Sequence, residues 1–224
     1  MKILHLTEHY LPFYGGVEIA VHELSKRLVR DGFEVEVICE RERETVKNET
    51  IDGVKVNREF GFELIRLKYG IGRVAPSMLF SVNKKDVDVV HAHSYGFFST
   101  WVSVFTKKPT VITTHSDPAA KIYRFWDMSR EVPIRLCDRV VATTEMEKRH
   151  LMRRGVRPEN ITVIPNGISL PPPEAPKIDF SPTILCVARL DVAHKGQDVL
   201  LKAMPKVLSI IPDVRLIIAG SGEG

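Results

Sequence analysis

Lys2 to Thr7 is a short apolar run that turns polar at Glu8-His9, and beyond a Pro/Gly segment the positions Val17, Ala20, Val21, Leu24 and Leu28 recur at helical spacing up to Gly32. This pattern predicts a strand, a loop and a helix stopped by glycine. Phe33 to Cys39 sets apolar residues on one parity between acidic ones, as a half-buried strand does. Glu40 to Glu49 is a charge run that reads as solvated, and Asp52-Gly53 followed by Val54 and Val56 reads as a hairpin turn. From residue 86 the alternation becomes regular. Strands are predicted at Val87 to Ala92, Thr110 to Thr114, Arg139 to Thr143 and Ile161 to Ile164, with helices at Gly96 to Phe105 and Glu145 to Arg154. Continuous Val/Ile strands separated by helices predict an α/β fold, a Rossmann-like parallel sheet with helices on both faces.

Residues 171 to 182, Pro-Pro-Pro-Glu-Ala-Pro-Lys-Ile-Asp-Phe-Ser-Pro, can form neither helix nor central strand and read as a linker. Beyond it the pattern restarts with a strand at Thr183 to Val187, a helix at Val199 to Leu208 and a strand at Val214 to Ala219. The 224 residues exceed one typical domain of about 150. The division expected is 1–170 as a complete first domain and 183–224 as the first βαβ unit of an incomplete second.

Composition narrows the classes. A net charge of +4, with 27% charged and 44% hydrophobic residues, argues against disorder and coiled coil, and the excess is too mild to predict a nucleic-acid partner. Cys39, Cys137 and Cys186 are scattered without CxxC spacing, against a disulfide framework or structural zinc. The amino terminus turns polar too soon for a signal peptide, and no run approaches the ~18 residues of a membrane span. A cytoplasmic protein is expected.

Ligands of open parallel sheets bind where strand ends feed helix amino termini, which selects four segments. In Pro12 to Glu18, the paired Gly15 and Gly16 before a helix let backbone N–H groups approach an anion, though such glycines are often only a turn. His91-Ala92-His93 and Thr114-His115-Ser116-Asp117 end two strands. Their histidines and aspartate can line a sugar-binding cleft or ligate a metal, and a lone histidine there is as often structural. Arg189 and Lys195 frame a loop after the first strand of the second unit, a fork and a point charge suited to phosphate or simply solvated surface.

Taken together, these segments with Ile164-Pro165-Asn166-Gly167-Ile168 and Leu216-Ile217-Ile218-Ala219-Gly220-Ser221-Gly222-Glu223 resemble the retaining glycosyltransferases of family 4, which have the GT-B architecture. The resemblance implies two facing Rossmann-like domains and transfer of a sugar from a nucleotide-diphosphate donor to a carbohydrate, lipid-linked or small-molecule acceptor. It implies that Gly15 and Gly16 meet the donor diphosphate. His115 then stands near the donor sugar with Asp117 beside it, while Arg189 and Lys195 stabilise the departing diphosphate without a metal or other cofactor. Fixed cations and helix amino termini can stabilise the leaving group's charge. The family's glutamate pair, which grips the donor, is not among these residues, so little activity is expected from the chain alone.

Two other readings stay open at this level. One is a metal-dependent hydrolase using His91, His93, His115 and Asp117; the other is a non-catalytic sugar-binding module. The basic run Lys148, Arg149, Arg153 and Arg154 adds peripheral contact with an anionic membrane, against a plain solvated helix face.

Overall fold

The computed structural model describes residues 1–42, 44–67, 70–115, 131–168 and 181–222, with side chains at all of these except 64–67, 70–72, 193 and 194. The chain divides into two compact units, Met1–Ile168 and Ser169–Gly224.

The first unit is built on eight strands: β1 (Lys2–Leu6), β2 (Glu34–Glu40), β3 (Asn48–Ile51), β4 (Val54–Glu59), β7 (Val89–His93), β8 (Thr110–Thr113), β9 (Arg139–Ala142) and β10 (Ile161–Val163). Between β4 and β7 come a separate antiparallel hairpin, β5 (Phe62–Leu67) with β6 (Gly70–Val74), and a helix, α2 (Pro76–Lys84). The sheet order is β10-β9-β8-β7-β1-β2-β4-β3, parallel throughout except for β3. The chain winds one way from β1 to β2 and the other way from β7 to β10, so the strand order reverses between β1 and β7, the point at which such sheets open a crevice for a ligand.

Among the described residues this unit also has the helices α1 (Gly16–Arg30), α3 (Phe98–Val104) and α4 (Glu145–Arg153), and residues 131–136 are helical as well. On one face of the sheet Leu4, Leu6, Ile38, Val90, Ala92, Ile112 and Val140 form a core with Met78 and Val82 of α2, Val102 of α3 and Leu151 of α4. On the other, Val35, Val37, Val54 and Val56 pack with Val21 of α1. Both faces are therefore covered, as all-parallel strands require.

Several expectations are refined. The Asp52-Gly53 hairpin forms, with both residues at positive φ (48° and 82°), the backbone that suits a two-residue turn. In α1 the buried residues are Glu18, Val21, His22 and Ser25 rather than the apolar stripe alone, and Leu24 is exposed. The polar members are satisfied: His22 bonds Tyr10 Oη at 2.9 Å and Asp52 at 3.1 Å, and Ser25 donates to the Val21 carbonyl at 2.7 Å. The charge run from Glu40 is not wholly solvated. Glu40 is buried and takes a 2.6 Å ion pair from Arg73, and Glu49 pairs with Arg58, whose side chain is 1% exposed.

The second unit pairs β11 (Thr183–Val187) with β12 (Arg215–Ala219) in parallel, linked through α5 (Val192–Lys195) and α6 (Gln197–Leu208). Met204 is its one buried apolar side chain among the described residues, while Leu185, Val187 and Ile217 stay exposed. The expected linker lies almost wholly outside the described residues.

Candidate functional site

The histidines meet because of register. His5 of β1 lies beside His91 of β7, and His93 lies beside Thr113 of β8. Residues two apart on a strand share a face, and neighbours in register share it too. His5, His91 and His93 therefore sit on the face opposite Leu4, Leu6, Val90 and Ala92, at the strand-order reversal. His115 follows two residues beyond Thr113, in a left-handed backbone conformation (φ 52°), which is uncommon for a residue with a Cβ and collects at functional sites.

The rings are chained. His5 Nδ1 lies 2.8 Å from His93 Nε2, and His93 Nδ1 lies 3.0 Å from His115 Nε2. His91 lies against His93, centroids 4.1 Å apart and ring planes tilted by 35°, and bonds Thr113 Oγ1 through Nε2 at 2.7 Å. Burial disfavours the cation and pushes His5 down to about 4; it lowers His91 and His93 well below the ordinary value. His115 is lowered as well, chiefly by burial, against an opposing pull from the Glu147 carboxylate.

Glu147 anchors the strand end that carries His115. Its buried carboxylate accepts from Thr143 N, from Thr143 Oγ1 at 2.7 Å and from Thr114 Oγ1, while Thr144 Oγ1 accepts from Glu147 N at 3.0 Å. Thr144-Glu145-Met146-Glu147 is a capping-box sequence, a local signal by which Glu147 could have been found. His5 carries no such signal, because only the pairing of β1 with β7 brings it to His93. Asp117 lies outside the described residues.

Gly15 caps α1, and the two glycines differ. A Cβ at Gly15 would meet the carboxylate end of the Glu18 side chain, which would have to swing aside, and the extended φ of −133° there suits any residue. A Cβ at Gly16 meets nothing within 4 Å, so the fold alone does not demand glycine there. The loop is held from beneath by Arg58, whose Nη2 donates to the Leu11 carbonyl at 2.6 Å and whose Nη1 donates to that of Val46 at 3.0 Å. Alongside lies an open cavity of about 600 Å³ lined by Pro12, Phe13, Arg41, Phe60, Phe62 and Arg73, among others. Glu8, close by the buried Glu40, is raised to about 8 by burial and then by that carboxylate's charge.

In the second unit Arg189 is half exposed and 3.4 Å from Asp191. Lys195 is exposed and ends α5, just before Gly196 at φ 68°. The Arg189 carbonyl accepts from Gln197 Nε2 at 2.8 Å. Gly220 and Gly222 press on the carbonyls of Ala188 and Leu190, where a side chain would collide, and Leu190 N donates to the Ser221 carbonyl at 2.9 Å. The glycines therefore shape the basic loop.

The metal reading changes in composition. His5, His91 and His93 bring one nitrogen each within 4.8 Å of one another, which is not the set His91, His93, His115 and Asp117 drawn from the sequence. Both nitrogens of His93 are engaged in hydrogen bonds, and a metal would have to break one of them.

Comparison with known proteins agrees with the geometry. The Glycosyltransferase Family 4 model matches residues 14–170, and the Glycosyl transferases group 1 model matches residues 181–224. The chain is 26% identical to a subunit of the phosphatidylinositol N-acetylglucosaminyltransferase of Homo sapiens, over 99% of this chain and 48% of that protein. It is 28% identical to the GDP-mannose:cellobiosyl-diphosphopolyprenol alpha-mannosyltransferase of Xanthomonas campestris, over 98% of this chain and 60% of that protein. It thus spans about half to three-fifths of these relatives' length. In fold it is similar to Anabaena HepE in complex with UDP and glucose, with a TM-score of 0.70 at 18% identity over 99% of this chain and 61% of that one. None of these matches supports a hydrolase. With the first model alone covering well over half of it, the chain belongs to glycosyltransferase family 4.

Proposed function

We propose that the chain carries the acceptor side, and the first diphosphate contacts of the donor side, of a retaining transfer of sugar from a nucleotide-diphosphate donor to a hydroxyl. The observation that carries this is the hydrogen-bonded histidine chain ending on His115, at the strand-order reversal of a sheet whose family transfers sugars. Gly15 and Gly16 offer their N–H groups at the start of α1 to the donor diphosphate. His115, with Asp117 beside it in sequence, faces the transferred sugar. Arg189 and Lys195 take the charge that builds on the leaving diphosphate, so the reaction needs no metal.

The acceptor occupies the cavity beside Phe13, Phe60 and Phe62, whose aromatic walls suit a sugar ring or a lipid-linked glycan. Lipid-linked acceptors are favoured because the human and Xanthomonas relatives are named for phosphatidylinositol and a diphosphopolyprenol. Peripheral membrane contact through the basic helix α4 is weakened by one pairing: Arg154 is engaged with Glu131 at 2.6 Å, leaving Arg149 and Arg153 exposed. A cytoplasmic setting is supported by three cysteines without disulfides, two of them buried and pushed up to about 12 by burial. The test is transfer from a panel of UDP- and GDP-sugars to detergent-solubilised lipid acceptors, with the product anomer read by NMR. Product of inverted configuration, or free sugar released equally without acceptor, would overturn the reading.

A further inference from the structure

We propose that His5 and His93 are positioning residues that lock His115 in its Nδ1–H tautomer, so that His115 presents a hydrogen-bond donor, not a bare nitrogen, to the substrate oxygen beside it. The identity of that oxygen as a sugar hydroxyl rests on the sugar-transfer reading; the tautomer itself does not.

The protons on the three rings can be counted. Burial keeps the rings neutral, and a neutral imidazole has one N–H and one lone pair. His93 uses both nitrogens, Nε2 toward His5 Nδ1 at 2.8 Å and Nδ1 toward His115 Nε2 at 3.0 Å. Each contact needs one donor and one acceptor. Only two arrangements keep both bonds. In the first, every ring carries its proton on Nδ1: His5 donates to His93, His93 donates to His115, and His115 keeps a free Nδ1–H. In the second, every ring carries it on Nε2, the direction reverses, and His115 is left with a bare Nδ1.

The far end of the chain decides between them. His5 is fully buried, and its Nε2 has no hydrogen-bond partner. The second arrangement places an N–H there with nothing to accept it, whereas the first leaves only an unused lone pair. Buried orphan N–H groups are rarer and costlier than under-used acceptors. The first arrangement is selected, and a choice made at His5 in β1 is delivered two rings away at the tip of β8.

His91 stands outside this chain, since its Nε2 is engaged by Thr113 Oγ1 at 2.7 Å. Among the described residues His115 has no other hydrogen bond that could set its tautomer. The Thr114–Glu147 contact fixes where the ring stands, not which nitrogen holds the proton.

The outcome is unusual enough to test, because a free neutral histidine in water favours the Nε2–H form. Nitrogen NMR of the intact chain labelled with 15N-histidine distinguishes the forms by their pyrrole-like and pyridine-like shifts, with or without turnover. The expected result is a pyrrole-like Nδ1 and a pyridine-like Nε2 at His115; the reverse assignment in the wild-type chain overturns the proposal without any variant. His93→Leu should return His115 to the Nε2–H form. His93→Gln, whose amide can accept from His5 and donate to His115, should keep the Nδ1–H form, and His91→Gln should not move it. In an active transferase carrying these residues, His93→Leu should lower kcat by roughly 10- to 100-fold, the usual cost of losing a group that orients a functional one. KM should change little, and His93→Gln should recover part of the rate. An unchanged His115 tautomer in a folded His93→Leu chain also overturns it. A wild-type Nδ1–H signal with no binding of UDP- or GDP-sugars to the chain would instead sink the transferase reading and leave the relay standing.

Discussion

The two units place their candidate residues on opposite kinds of ground. In Met1–Ile168 the histidines grow from the interior of an eight-stranded sheet covered on both faces, and a change in one ring is felt by the next. In Ser169–Gly224 Arg189 and Lys195 lie on the loop and short helix α5 that follow β11, and Leu185, Val187 and Ile217 of its two strands are exposed. A parallel pair normally hides both faces. Substitutions in the first unit should therefore disturb structure and function together, while those in the second should separate them.

The largest expected effect tests that contrast outright. Residues 1–168 expressed alone should unfold cooperatively in urea, while residues 181–224 alone should show no cooperative transition, being too short to bury a core without further support. A sharp transition in the smaller piece would erase the contrast. Two arginines sharpen it. Arg58→Ala removes a buried partner of Glu49 and of the Leu11 and Val46 carbonyls, and should cost about 3–5 kcal/mol in urea melts, as breaking buried pairs does. Arg189→Ala, half exposed, should stay within roughly 0.5 kcal/mol.

The first unit was legible where local pattern sufficed. The strands, the Asp52-Gly53 turn and most helices follow from periodicity. The hairpin β5–β6 and α2 did not, because Gly70 and Gly72 interrupt the alternation, although Pro76 at the start of α2 with Met78 and Val82 one helical turn apart was a usable signal. His91, His93 and His115 could be singled out as strand-end residues. Their partner His5 could not, since its role depends on β1 and β7, far apart in the sequence, pairing in one register. Glu40 reads as part of a solvated charge run, and Arg58 carries no signal in the sequence, for the same reason: burial is a property of the assembled sheet.

Acid should separate the units next. His5 falls from 6.5 in the unfolded chain to about 4 in the fold. The unfolded state then binds the proton first, so this stability is complete above pH 6.5 and is lost as pH falls toward 4. His91 and His93 act in the same direction. Glu8 acts oppositely: raised from 4.5 to about 8, its contribution is complete below pH 4.5 and is lost as pH rises through 8. The unfolding free energy of 1–168 from urea melts should therefore drop on acidification, by on the order of a few kcal/mol, and Glu8→Gln should flatten the alkaline side. A Glu8→Gln profile identical to wild type would remove the carboxylate from the account. The smallest effect concerns the glycines. Gly16→Ala should change stability by no more than a few tenths of a kcal/mol, while Gly15→Ala, meeting Glu18, should cost more. Equal costs would mean that the open space at Gly16 has no significance.

The most direct test of diphosphate recognition is calorimetric titration of the chain with UDP and with GDP in the presence of a chelator. Weak, saturable, metal-independent binding of at least one nucleotide is expected, reduced about 10- to 100-fold in Arg189→Ala/Lys195→Ala, as loss of charge-assisted hydrogen bonds implies. Binding that needs a divalent metal, or that the double variant retains in full, would contradict the account.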